Sequence, residues 1–114
     1  MIVRLATPQE DSIIAEHFYQ MWLDNNVAAD SVKSDWREIT LRFIERARQE
    51  SSYQAFIAEV DGEIVGSVGC QLFAGLYPNI LAAEYRQSGY IWGVYVESAH
   101  RRQGIAKKLV VLKM

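Results

Sequence analysis

The stretch VYVESAHRRQGIAKKL, Val94–Leu109, decides how this chain is read. Val94 and Val96 flank Tyr95 in the alternation of a half-buried strand. Glu97–His100 break that pattern, and a helix is expected from about Gly104. Between strand and helix stand Arg101, Arg102, Gln103 and Gly104, with Ile105, Ala106 and Lys107 behind them. The first turn of a helix leaves amide N–H groups without intrahelical partners and carries the positive end of the dipole. A pyrophosphate suits such an end. Small residues at Gly104 and Ala106 let oxygens approach the backbone, and Arg101, Arg102 and Lys107 put charge around them. Each charge-assisted hydrogen bond contributes about 1.5–3 kcal/mol. The pattern is neither G-x-x-x-x-G-K-S/T nor G-x-G-x-x-G. Taken alone, it also fits a basic, solvated helix start.

The rest of the chain gives this joint its context. At 114 residues a single domain over 1–114 is expected. Lys and Arg number 12 against 14 Asp and Glu, a formal charge of -2. That balance argues against a nucleic-acid coat, so no nucleic-acid partner is expected. The single cysteine, Cys70, cannot form an intrachain disulfide and reads as a small strand hydrophobe. MIVRLATPQED turns charged too early for a signal peptide, and no apolar run reaches membrane-spanning length. A cytoplasmic protein without a membrane partner is the expectation. No His or Cys pair has metal-ligand spacing, and no metal is expected.

Ile2–Ala6 alternates as a short strand. Thr7, Pro8 and Glu10 then form a helix start with a capping box. Ile14, Phe18, Met21 and Trp22 share one face of that helix, which should end near Asp24–Asn26. A second helix is expected from Ser34 or Asp35, with Trp36, Ile39, Phe43 and Ala47 at helical spacing. Phe18, Trp22, Trp36 and Phe43 read as core. YQAFIAEVDGEIVGSVGCQLF gives two strands joined by Asp61-Gly62, a hairpin dipeptide. Gly66 and Gly69 inside the second strand suggest a bulge or a close backbone approach. A loop, 74–88, contains Tyr77-Pro78-Asn79 and a helical turn in NILAAEYRQ. GYIWGVYVE is a strongly apolar strand with Gly93 inside it. The order is strand, helix, helix, hairpin, strand, helix: a mixed α/β (α+β) domain with a mainly antiparallel sheet.

Arg101-Arg102-Gln103-Gly104-Ile105-Ala106 resembles the Q/R-x-x-G-x-G/A motif of the GCN5-related N-acetyltransferases, which there too follows a V-x-V strand and opens a helix. FIAEVDGEIVGSVGCQLF is similar to that family's second and third strands, and IVRLATPQEDSIIAEHF to its first strand and helix. The resemblance implies acetyl-coenzyme A as donor, a small-molecule or protein amine as acceptor, and direct transfer in a ternary complex. It implies that the amides of Arg102–Lys107, with Arg101, hold the pyrophosphate. Val94, Tyr95 and Val96 would pair with the pantetheine arm. An amide near Val94 or Tyr95 would polarise the thioester carbonyl, and Gly93 would mark a local bulge. The loop Asp24–Asp30 would border the acceptor site.

The match has departures. Tyr90 stands in the region where some members carry a glutamate base, and Glu97 and Glu84 are the nearest carboxylates in sequence. Ser98 replaces a common proline. The family continues past this helix with a fifth strand, whereas GIAKKLVVLKM ends the sequence without a Gly, Asn or Pro stop. The expectation is therefore a fold truncated before the fifth strand, with YIWGVYV as an apolar sheet edge. A homodimer through that strand or the terminal helix would cover the edge. A non-catalytic module of the same fold, with weak or no acetyl-coenzyme A binding, is the alternative reading. His17 is read as a surface or partly buried residue, and His100 as structural.

Overall fold

The computed structural model describes residues 1–72, 80 and 89–113. Strand β1, Ile2–Leu5, leads through Thr7 into a single turn of 3-10 helix, Pro8–Glu10. The capping box forms as its residues dictate, with Glu10 Oε1 accepting from the Thr7 amide at 2.8 Å. Helix α1 spans Asp11–Asp24 and α2 spans Trp36–Glu50, one or two residues later than its sequence signal. β2, Gln54–Val60, and β3, Glu63–Leu72, are joined by Asp61 and Gly62 at φ 52° and 80°. Two positive φ values are what a tight two-residue hairpin needs. β4 spans Gly89–Val96 and α3 spans Ile105–Lys113. The loop features expected over 74–88, Tyr77-Pro78-Asn79, the NILAAEYRQ turn and Glu84, lie outside the described residues.

The four strands form one antiparallel sheet in the order β1-β2-β3-β4, so β1 and β4 are the outer strands among the described residues. On one face Ile14, Ile44 and Ala47 pack on Tyr53 and Ala55, with Trp92 beside them. On the other face Ile105 and Leu109 of α3 bury against Ala58, Val65, Val68 and Val96. Helices α1 and α2 thus cover one side and α3 the other.

Both glycines of β3 sit at close approaches. A Cβ on Gly66 would stand 3.0 Å from the Tyr95 carbonyl oxygen, and one on Gly69 3.0 Å from the Tyr53 ring. The neighbouring irregularity belongs to β4. Ser67 pairs with Tyr95 and Gly69 with Trp92, so two steps along β3 match three along β4. The extra residue lies at Gly93–Val94, where Gly93 takes φ +67°. This is a β-bulge.

The aromatic residues of the two helices are not core. Trp22 is 43% exposed and Phe43 50%, while Phe18 and Trp36 are half-buried. Small and aliphatic residues, Ile14, Ala15, Ile44 and Ala47, take the buried positions instead. Trp36 stacks on Tyr19 at 4.2 Å and lies under the Arg37 guanidinium. The others surround a cavity. Among the described residues no helix is long and apolar enough to cross a membrane.

Leu109 is fully buried and anchors α3 to the sheet. Leu109→Ala should cost about 2–5 kcal/mol. Urea unfolding followed by circular dichroism should show a lower midpoint with an unchanged slope.

Candidate active site

The turn between β4 and α3 is tied to β3, to the end of β4 and to α1. The Glu97 amide donates to the Val65 carbonyl at 2.8 Å, and the His100 amide donates to the Glu97 carbonyl at 2.8 Å. Arg101 folds back, its Nε donating to the Val96 carbonyl at 2.8 Å and its terminal nitrogen to the Asp24 carboxylate on α1. Its guanidinium also lies 5.3 Å from the centre of the Tyr95 ring. Arg102 and Gly104 then turn the chain through positive φ, 65° and 77°. Gly104 therefore precedes the helix rather than opening it. Its glycine is required by conformation, since nothing stands within 4 Å of where a Cβ would be. The first intrahelical bond runs from the Lys108 amide to the Gly104 carbonyl at 3.1 Å. The amides of Ile105, Ala106 and Lys107 precede that bond and have no intrahelical carbonyl to meet.

Val94, Val96, His100, Arg101, Arg102, Gly104, Ile105, Ala106 and Lys107 line one open cavity of about 350 Å³. Most of the residues singled out from sequence are thus brought together. Ile105 contributes its backbone, because its side chain is in the core. Gln103 borders a neighbouring hollow with Lys107 and Lys108. Tyr95 and Glu97 turn towards the other face of the sheet, and Tyr90 lines a separate pocket. Asp24, expected beside the acceptor, is engaged by Arg101.

Beneath Tyr95 lies an arrangement that sequence reasoning missed. His17 is 4% exposed; its Nδ1 is 2.8 Å from Ser67 Oγ and its Nε2 is 3.4 Å from Glu97 Oε2. A carboxylate only accepts, so Nε2 carries the hydrogen towards Glu97 and Nδ1 accepts from the Ser67 hydroxyl. The composition is that of a nucleophilic triad, but Ser67 is fully buried and cannot meet a substrate. The network instead orients Glu97, whose side chain is 47% exposed. The only signal for it in sequence was Ser67, a lone hydroxyl in the apolar run EIVGSVG. Burial pushes the His17 pKa down, against the opposing pull of Glu97 and Glu16. Burial also raises the Tyr95 phenol, with Asp24 adding to it.

On the same face a second, apolar pocket of about 550 Å³ is walled by Phe18, Met21 and Trp22 of α1, Ile39, Thr40 and Phe43 of α2, and Gln71 and Tyr90–Gly93 of the sheet. Trp92 is its centre, meeting Phe18 at 5.2 Å and Phe43 at 5.6 Å, both edge to face. A Cβ on Gly93 would stand 3.7 Å from Phe18. Gly93 lines this pocket and the next residue, Val94, lines the other, so the two cavities meet β4 at consecutive residues of the bulge. Among the described residues, no group of three or more His, Cys, Asp or Glu side chains is placed to hold a metal.

The sequence matches the model of the acetyltransferase (GNAT) family over residues 9–111. A GCN5-related N-acetyltransferase from Ralstonia eutropha JMP134 shares the fold with a TM-score of 0.77 at 18% identity, over 97% of this chain and 71% of that one. A predicted acetyltransferase with acetyl-CoA from Clostridium acetobutylicum gives 0.75 at 18% identity, over 97% and 69%. A ribosomal-protein-alanine N-acetyltransferase from Brucella melitensis gives 0.70 at 20% identity, over 98% and 64%. At these identities the likeness is one of fold. The comparison with curated proteins finds no match.

The His17 shift fixes the sign of a pH effect. Its folded pKa lies below the ordinary value of about 6.5, so the unfolded chain binds the proton first. The stability this provides is complete above about pH 6.5 and is lost as the pH falls below it. Melting temperatures between pH 8 and 5 should decline more steeply for the wild type than for His17→Gln.

Proposed function

The chain belongs to the acetyltransferase (GNAT) family, and from that premise we propose that it binds acetyl-coenzyme A between β4 and α3 and transfers the acetyl group to an amine entering from the aromatic pocket. The observation that carries this is the bulge at Gly93–Val94, where consecutive residues of one strand line the apolar pocket and the basic cavity. Acetyl-coenzyme A supplies an activated thioester. The amides of Ile105, Ala106 and Lys107, with the side chains of Arg102 and Lys107, receive its pyrophosphate. Arg101 acts by strapping the turn to Val96 and Asp24, not by reaching the phosphates. Gln103 borders the anion site.

The outer edge of β4 along Val94, Tyr95 and Val96 takes the pantetheine arm as an added strand. Pairing with a second copy would fill the same edge, so this reading disfavours a homodimer joined at β4. The bulge takes backbone at Gly93–Val94 out of the regular ladder. An amide there, at Val94 or Tyr95, donates to the oxyanion formed as the amine attacks the carbonyl carbon. Such a donor typically contributes about 10²–10³ in rate. As the C–N bond forms and the C–S bond breaks, the amine proton passes to Glu97, held by His17 and Ser67, and the thiolate leaves protonated from solvent or from Tyr90.

Calorimetric titration of acetyl-coenzyme A tests the reading. The wild type should bind, and Gly104→Glu and Ala106→Glu should each weaken binding more than tenfold, roughly one charge-assisted contact or more. Ala106 lies within α3, so its variant leaves the turn's positive φ undisturbed. An absence of binding near millimolar ligand would overturn the proposal and leave a non-catalytic module of the same fold.

A further inference from the structure

The pocket on the α1–α2 side says what kind of amine fits. Its walls are the faces and edges of Phe18, Trp22, Phe43 and Trp92, closed by aliphatic side chains. Among the described residues that line it, none is charged. Its polar side chains are already engaged in part: Thr40 donates to the Trp36 carbonyl at 2.8 Å, and Gln71 accepts from Trp92 Nε1 at 3.0 Å. The mouth leaves large apolar groups uncovered, with Trp22 43% and Phe43 50% exposed. Uncovered aromatic surface around a cavity of this size marks a small-molecule site rather than a core.

We propose that the acceptor is a compact amine with one positive charge on an aromatic or alkyl body, an arylalkylamine in the simplest case, and not a polyamine, an aminoglycoside or a lysine in a polar peptide. The inference rests on the acetyl-transfer reading above and specifies its second substrate. A polycation needs carboxylates to replace the water around each ammonium, because an unpaired charge in an apolar site is costly. This pocket presents ring faces, which hold one ammonium by cation–π attraction and pack against an aryl group edge to face. An apolar wall also favours the neutral amine over the ammonium. The neutral amine is the form that attacks, and Gly93 at the pocket floor puts it beside the bulge.

The experiment measures thiol release at saturating acetyl-coenzyme A with 2-phenylethylamine, tryptamine, spermidine, kanamycin and a lysine-containing peptide. Phe43→Ala and Ile39→Glu, both at exposed positions, are run beside the wild type with their melting temperatures. The expected kcat/KM for 2-phenylethylamine exceeds that for spermidine by more than about tenfold. Phe43→Ala should raise KM for the arylalkylamines roughly tenfold and leave that for spermidine unchanged, as loss of an aromatic contact predicts. Ile39→Glu should narrow the preference by admitting polycations. Equal or better turnover of spermidine, kanamycin or the peptide by the wild type overturns the inference while leaving acetyl transfer intact. If acetyl-coenzyme A does not bind, the transfer reading fails and the pocket is still tested. Two tryptophans line it, and 2-phenylethylamine should quench their fluorescence saturably in the wild type and more weakly in Phe43→Ala. A quench that never saturates, or one that spermidine reproduces, overturns the inference.

Discussion

The organising constraint of this molecule is one extra residue in β4. Opposite Val68 the sheet has no partner for it, so the strand bulges at Gly93–Val94. Side-chain alternation changes phase there. Trp92 and Tyr95, three apart, both face α1, while Val94 and Val96 face α3. An unbulged strand would put residues three apart on opposite faces. Without the bulge, either Trp92 would leave the aromatic pocket or Tyr95 would leave His17. The positive φ of Gly93, a conformation that other residues rarely adopt, makes the insertion possible.

The turn that follows shows which forces hold the basic cavity in shape. Arg102 at φ 65° is a non-glycine residue in the left-handed region, a cost of about 1–2 kcal/mol. Exposed charge pairs offset little of it. Ile105 and Leu109 are 2% and 0% exposed, and fully burying such side chains contributes about 1.5–3 kcal/mol each. Burial on the sheet side therefore fixes α3, and the amides of its first turn are left at its N-terminal end without intrahelical partners. The Arg101 side chain does the complementary work. Three interactions, with Val96, Asp24 and the Tyr95 ring, join the end of β4 to the end of α1.

Much of this was legible in the sequence, for identifiable reasons. Thr7-Pro8-x-Glu10, Asp61-Gly62 and the glycine before Ile105 are local chemistry, and local chemistry survives in the fold. Gly93 in an apolar strand was a sound pointer to a bulge. The roles of the arginines were not legible, since Arg101 and Arg102 are adjacent in sequence and only the position of Asp24 separates clamp from free cation. His17 followed an apolar helical pattern and looked peripheral, because its partners lie 50 residues away at Ser67 and beyond it at Glu97. The aromatic stripes of α1 and α2 misled for a related reason. Periodicity tells which residues leave water, not whether they meet a core or a cavity.

That distinction can be settled by size. Beneath α1 and α2 the buried positions include Ala15, Ala47 and Ala55, all at most 5% exposed, with Ile14 and Ile44 between them. A core built from such small residues closes over the sheet without the aromatic side chains. Phe18, Trp22, Phe43 and Trp92 are surplus to that closure and stand around a volume of about 550 Å³. Interiors pack to crystal density and tolerate few voids. Four large aromatics arranged around open space, edge to face and partly in water, are therefore better explained by a ligand than by imperfect packing.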